Sequence, residues 1–106
     1  MPAPDVTDTT FDDEVLASPT PVIIDFWAPW CGPCKAVEPV LEELAGDAGD
    51  RVRLVRLDVD SNIGVASRYG VLSIPTVILF AEGEPQATVV GAVSRKAFER
   101  EFATWL

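Results

Sequence analysis

Val22-Ile23-Ile24-Asp25-Phe26-Trp27 is a nearly continuous apolar run broken by a single carboxylate. Such a run marks a strand covered on both faces, and therefore a layered arrangement of sheet and helices. Ala28-Pro29-Trp30-Cys31-Gly32-Pro33-Cys34-Lys35 follows it directly. Val37, Val40, Leu41 and Leu44 then repeat at i, i+3, i+4 and i+7, the stripe of an amphipathic helix. Both cysteines of the chain thus sit two residues apart at a helix start. A Cys-X-X-Cys pair in that setting reads as a thiol–disulfide redox site. Only a thiolate is nucleophilic, and the unpaired N–H groups and positive dipole end of a helix N-terminus favour that anion. Positions i and i+3 share one helix face, so the two sulfurs can close into a disulfide.

Composition removes the main competing chemistries. The 106 residues contain no histidine, so neither a Cys-His dyad nor a Ser-His-Asp triad can be built from this chain. A zinc site takes four N or S ligands as a rule, and Cys31 and Cys34 supply two; an iron–sulfur cluster fails on the same count unless two chains share it. Any buried proton acceptor must be a carboxylate, which directs attention to Asp25. The net charge is −9, from 17 acidic and 8 basic residues, and this disfavours nucleic-acid and anionic-membrane partners. At 48% hydrophobic, the length suits one domain over residues 1–106 with a single core. No apolar run approaches a bilayer span. No Lys or Arg precedes Lys35, so the start lacks the basic region of a secretory signal, and a cytoplasmic location is expected.

The remaining pattern orders the chain as β-α-β-α-β-α-β-β-α. Pro2–Val6 is expected to add a short edge strand, because Pro2 and Pro4 cannot donate to a ladder. Thr10 and Asp13 resemble a capping box opening a short helix over Phe11–Ala17, stopped by Ser18-Pro19-Thr20-Pro21. Pro39 should kink the long helix, and Gly46 and Gly49 should end it. Val52–Val59 reads as a second buried strand, and Asp60 or Ser61 as the cap of a short helix stopping at Gly70. Thr76–Phe80 and Thr88–Val90 form a hairpin through Ala81–Gln86. Ser94 opens a last helix with Phe98, Phe102, Trp105 and Leu106 on its apolar face. A mixed central sheet of four to five strands, flanked by helices on both faces, is the α/β architecture this implies.

These residues resemble the thioredoxin family over nearly the whole length. The matching landmarks are Asp25-Phe26-Trp27-Ala28, Trp30-Cys31-Gly32-Pro33-Cys34-Lys35, Pro39, Tyr69-Gly70-Val71, Ile74-Pro75-Thr76 and Val90-Gly91-Ala92. The resemblance implies a thioredoxin fold and reduction of disulfides in protein substrates. It also implies recharging by an NADPH-dependent thioredoxin reductase, with no bound cofactor and no metal. A monomer is expected. A thiol oxidase or isomerase of an oxidising compartment, and a non-catalytic peptide-binding or chaperone subunit, are the alternatives.

Roles divide accordingly. Cys31, at the exposed helix start, is the attacking thiol, and Cys34, within the first turn, the more shielded resolving one. Gly32-Pro33 suits a tight turn into a helix and brings no charge that would strongly stabilise a thiolate. Asp25 is the candidate proton acceptor for Cys34, since desolvation raises a buried carboxyl's pKa; the other reading is a structural Asp paired with a strand neighbour. The family pattern usually places Lys at position 56, near this Asp; here it is Arg56, which never loses its charge and forks onto carboxylates. By resemblance the Ile74–Pro75 bond is cis and lies against the cysteines, leaving the backbone of Ile74 to pair with an extended substrate. Trp30 should face substrate and Trp27 pack beneath the site. Gly91 and Ala92 should lie flat for a partner backbone. Lys35 reads as a solvated first-turn residue.

Overall fold

The computed structural model describes residues 3–106. Strand β1, Val22–Trp27, lies inside a four-stranded sheet with β2 (Arg53–Asp58), β3 (Thr76–Ala81) and β4 (Glu84–Val90), in the order β2-β1-β3-β4. The β1–β2 pair is parallel, and the β1–β3 and β3–β4 pairs are antiparallel. The parallel pair requires a crossover, supplied by the long helix α1, Gly32–Ala48. Helix α2, Ile63–Arg68, leads from β2 toward β3, and α3, Arg95–Phe102, follows β4.

Alternation along β1 divides the core into two layers. Val22, Ile24 and Phe26 pack with Phe11, Val15, Val65, Ala66 and Phe80 on one face. Ile23 packs with Val37, Leu41, Leu44, Phe98 and Phe102 of α1 and α3 on the other. Asp25 belongs to this second face, opposite Arg56 of β2 and Val77 of β3 in the register. A carboxylate is therefore buried between the sheet and α1. Arg95 ties α3 to α1 through Asp47 at 2.7 Å, a surface pair.

Several elements differ from the sequence reading. Asp5 forms one isolated parallel bridge with Arg56 rather than a full strand, although it does lie at the β2 edge; Met1 and Pro2 lie outside the described residues. Asp12–Leu16 winds as a single π-helical turn, with Ala17 N donating to Asp12 O at 2.9 Å. Thr10 does not cap it, because its hydroxyl already accepts from Thr7 N at 2.9 Å. Neither Asp60 nor Ser61 caps α2. Asp8, far away in sequence, accepts from Gly64 N and Val65 N, each at 2.9 Å.

Gly46 lies within α1, where one glycine costs only about 1 kcal/mol against the packing of Leu44 and Ala48. Gly49, at φ 62°, ends the helix. Pro39 does not interrupt it. Strand β4 is longer than expected and begins right after Glu82-Gly83, whose φ values of 55° and 79° suit a two-residue hairpin. Pro85 is tolerated because β4 is an edge strand.

Candidate functional site

The end of β1 and the first turn of α1 place the two cysteines. Cys31 is the N-cap residue, extended at φ −87° and ψ 105°, and its sulfur accepts from Cys34 N at 3.1 Å. This satisfies one of the orphan donors of the helix start and puts Sγ of Cys31 against the positive end of α1. Pro33 fits the first turn, where no intrahelical N–H is lost. Cys31 and Cys34 are disulfide-bonded, with Cα atoms 5.3 Å apart.

The two cysteines are almost equally enclosed, with exposures of 3% and 1%. The expected difference in exposure is therefore absent. Ala28 packs with both, and Trp27, Val59 and Ile74 cover the cluster. The asymmetry that remains is positional: Cys31 caps the helix and Cys34 lies inside it. Gly32 and Pro33 are exposed between them.

Three loops meet around this pair. The Ile74–Pro75 bond is cis, and Ile74 packs on the cysteine cluster. Gly91 N donates to Pro75 O at 2.8 Å, which brings the end of β4 to the same place. Gly91 has φ 100°, a conformation that requires glycine, and a Cβ there would meet nothing within 4 Å. Ala92 is exposed beside it. Trp30 is exposed, and its Nε1 donates to Asp60 Oδ2 at 2.6 Å, which fixes the indole on the surface. Trp30, Val59, Val71, Leu72, Ser73 and Ile74 line an open groove of about 370 Å³ next to the disulfide. Lys35 is exposed on the first turn.

Asp25 lies on β1, two residues before Trp27 of the cysteine cluster. It is buried, and its Oδ1 has no hydrogen-bond partner among the described residues. Burial pushes its carboxyl from an ordinary 3.8 up to about 7; the Glu38 carboxylate adds to the rise, and the Arg56 guanidinium opposes it. Arg56 does not fork onto Asp25. Its Nε donates to Asp5 Oδ1 at 2.8 Å, and its Nη1 to the two Glu38 oxygens at 3.1 and 3.2 Å. The guanidinium also lies 4.5 Å from the centroid of the Trp27 ring, whose Nε1 has no partner among the described residues. Burial opposes the charge on Arg56, but the bonds and charges of Asp5 and Glu38 outweigh it and raise its pKa.

Sequence reasoning passed over Leu72 and Glu38. Leu72 was detectable as a large apolar residue in a loop between Gly70 and Pro75, and it is 97% exposed. Glu38 was detectable as a charge four residues after Cys34, one turn along the same helix face. No group of three or more His, Cys, Asp or Glu residues converges as a metal site among the described residues. No helix there is long and apolar enough to cross a membrane.

Comparison with known proteins agrees with this geometry. A family model described as Thioredoxin matches residues 3–104. Thioredoxin 1 of Synechococcus elongatus is 53% identical over 90 residues, covering 85% of this chain and 84% of the relative. Thioredoxin of Mycolicibacterium smegmatis is 49% identical over 100 residues, covering 92% and 89%. A bifunctional thioredoxin reductase/thioredoxin of Mycobacterium leprae is 48% identical over 99 residues, which span 93% of this chain and 22% of that protein.

Proposed function

The chain belongs to the thioredoxin family and is a thiol–disulfide oxidoreductase; from that premise we propose that it works as a protein-disulfide reductase recharged by an NADPH-dependent thioredoxin reductase. One observation carries the reading: the Cys31–Cys34 disulfide at the N-terminus of α1, with the Cys31 sulfur accepting a backbone N–H. The fused reductase of the Mycobacterium leprae relative supports the choice of electron donor. The match over 3–104 supports reading the chain as one thioredoxin domain, and a reductant of this kind suits the cytoplasm.

In the reduced protein the Cys31 thiolate attacks a substrate disulfide. A bond forms between Cys31 and one substrate sulfur, and the other leaves as a thiolate. Cys34 then gives its proton to the Asp25 carboxylate and attacks the Cys31 sulfur. The Cys31–Cys34 bond forms, the mixed disulfide breaks, and the substrate departs fully reduced. The two electrons come from the protein thiols, so the exchange needs no bound cofactor. Trp30, Leu72 and Ile74 offer an apolar groove beside the sulfurs, and the backbone of Ile74 and the open side of Gly91 and Ala92 accommodate an extended peptide. Gly32 and Pro33 present the attacking sulfur without bulk. Cys34→Ser should accumulate mixed disulfides with a disulfide-bearing protein, and Cys31→Ser should accumulate none. Trapping by the Cys31→Ser variant instead would reverse the roles.

A further inference from the structure

We propose that Glu38 is a positioning residue for the resolving step: it holds the Arg56 guanidinium away from Asp25, and so leaves the Asp25 carboxyl unpaired to take the proton of Cys34. The inference rests on Asp25 acting as the proton acceptor for Cys34.

Asp25 and Arg56 are partners in the parallel register of β1 and β2, so their side chains leave the same face of neighbouring strands, about 4.8 Å apart. A guanidinium placed there would ordinarily fork onto a buried carboxylate. It does not, because Glu38 accepts two bonds from Nη1, and Asp5 accepts one from Nε. The Arg56 and Glu38 side chains are 20% and 23% exposed, so the pair is poorly screened by solvent. Glu38 acts twice. It occupies the guanidinium that faces Asp25, and its own negative charge disfavours a second anion beside it.

Other charged groups near this layer are committed elsewhere. From β2, Asp58 accepts from Asp60 N at 2.9 Å. From α1, Lys35 is exposed, and Cys34 is the buried thiol that the proposed step deprotonates. The β3 partner of Asp25 is the apolar Val77. Without Glu38, Arg56 keeps one carboxylate partner, Asp5, and its contact with the Trp27 ring, and its Nη1 is released to turn toward Asp25. The carboxyl would then ionise at lower pH and become a weaker base.

A chromogenic aromatic disulfide, 5,5′-dithiobis(2-nitrobenzoate), separates the two steps. The reduced protein releases one coloured thiolate when Cys31 attacks and a second when Cys34 resolves. The pH profile of the second phase reads the acceptor. Glu38→Gln should move its midpoint to lower pH by on the order of one unit, with the first phase unchanged. Glu38→Asp, which restores the charge, should recover much of the wild-type profile. Arg56→Gln removes the opposing cation and should move the midpoint upward. It serves as an independent arm should Glu38→Gln fold poorly.

Asp25→Asn separates this proposal from the one beneath it. If that variant keeps the wild-type second-phase profile, Asp25 is not the acceptor and both readings fall. If Asp25→Asn abolishes the limb but the midpoint of Glu38→Gln stays put or rises, the positioning role alone is overturned. A midpoint that fails to rise in Arg56→Gln overturns it equally.

Discussion

Asp25→Asn should stabilise the oxidised protein, and by an amount that depends on pH in a defined direction. In the folded chain burial raises the carboxyl from 3.8 to about 7. The unfolded chain ionises near the lower value. Between the two, the folded state holds a proton that the unfolded state has lost, so stability falls as pH rises through this window. Below pH 3.8 both states are protonated and the penalty vanishes; above 7 it is complete. The interval between 3.8 and about 7, at ~1.36 kcal/mol per pH unit, corresponds to about 4 kcal/mol.

Asn carries no charge and escapes this penalty. Its amide enters a place where Asp25 Oδ1 has no partner, so part of the gain is offset by burying an unbonded donor. The expected gain is about 2–4 kcal/mol at pH 8, falling toward zero or below at pH 4. With a urea slope of roughly 2 kcal/mol per molar, the midpoint at pH 8 should rise by about 1–2 M. Urea melts of both proteins across this pH range, with the Cys31–Cys34 disulfide kept intact, measure the effect. A difference between the two proteins that does not change with pH would refute the reasoning, because it would mean that Asp25 is equally ionised in both states.

Two further substitutions examine parts of the fold and groove that the chemistry leaves aside. Asp8→Ala removes both side-chain acceptors at the start of α2 and should cost about 1 kcal/mol in a urea melt, since no side chain within α2 replaces them. Leu72→Ser should leave stability within about 0.5 kcal/mol, because the side chain is almost fully exposed. It should raise KM for a disulfide-bearing protein by roughly 3- to 10-fold while sparing a small aromatic disulfide, as expected when apolar area is buried only by the larger partner.

The parts of this molecule legible in the sequence are those whose physics is local. Strand β1 matched its apolar run residue for residue, because a strand buried on both faces leaves no ambiguity about its ends. Ser94 caps α3 as its position implied, with Ala97 N donating to its hydroxyl at 3.2 Å. The failures are non-local or finely balanced. Asp8 caps a helix more than fifty residues away, which no window along the chain can reveal. At the Phe11–Leu16 turn, Thr10 had two possible partners, and the one to Thr7 prevailed. At the site, the cysteines pack with Ile74, Trp30 and Ile74 line one groove, and Gly91 bonds to Pro75. The destination of Arg56 was not legible, because three carboxylates compete for it and only the packing of α1 on the sheet selects Glu38.

The proposed reducing character of the Cys31–Cys34 pair is tested most directly by its equilibrium with glutathione. The oxidised protein is incubated across a series of reduced and oxidised glutathione, quenched with acid, and the free thiols are counted by alkylation and mass. A reductase must hold electrons less tightly than the glutathione pool, so the pair should remain a disulfide until reduced glutathione is in large excess. A pair that is already dithiol in mixtures rich in oxidised glutathione would be an oxidant, and would contradict the account.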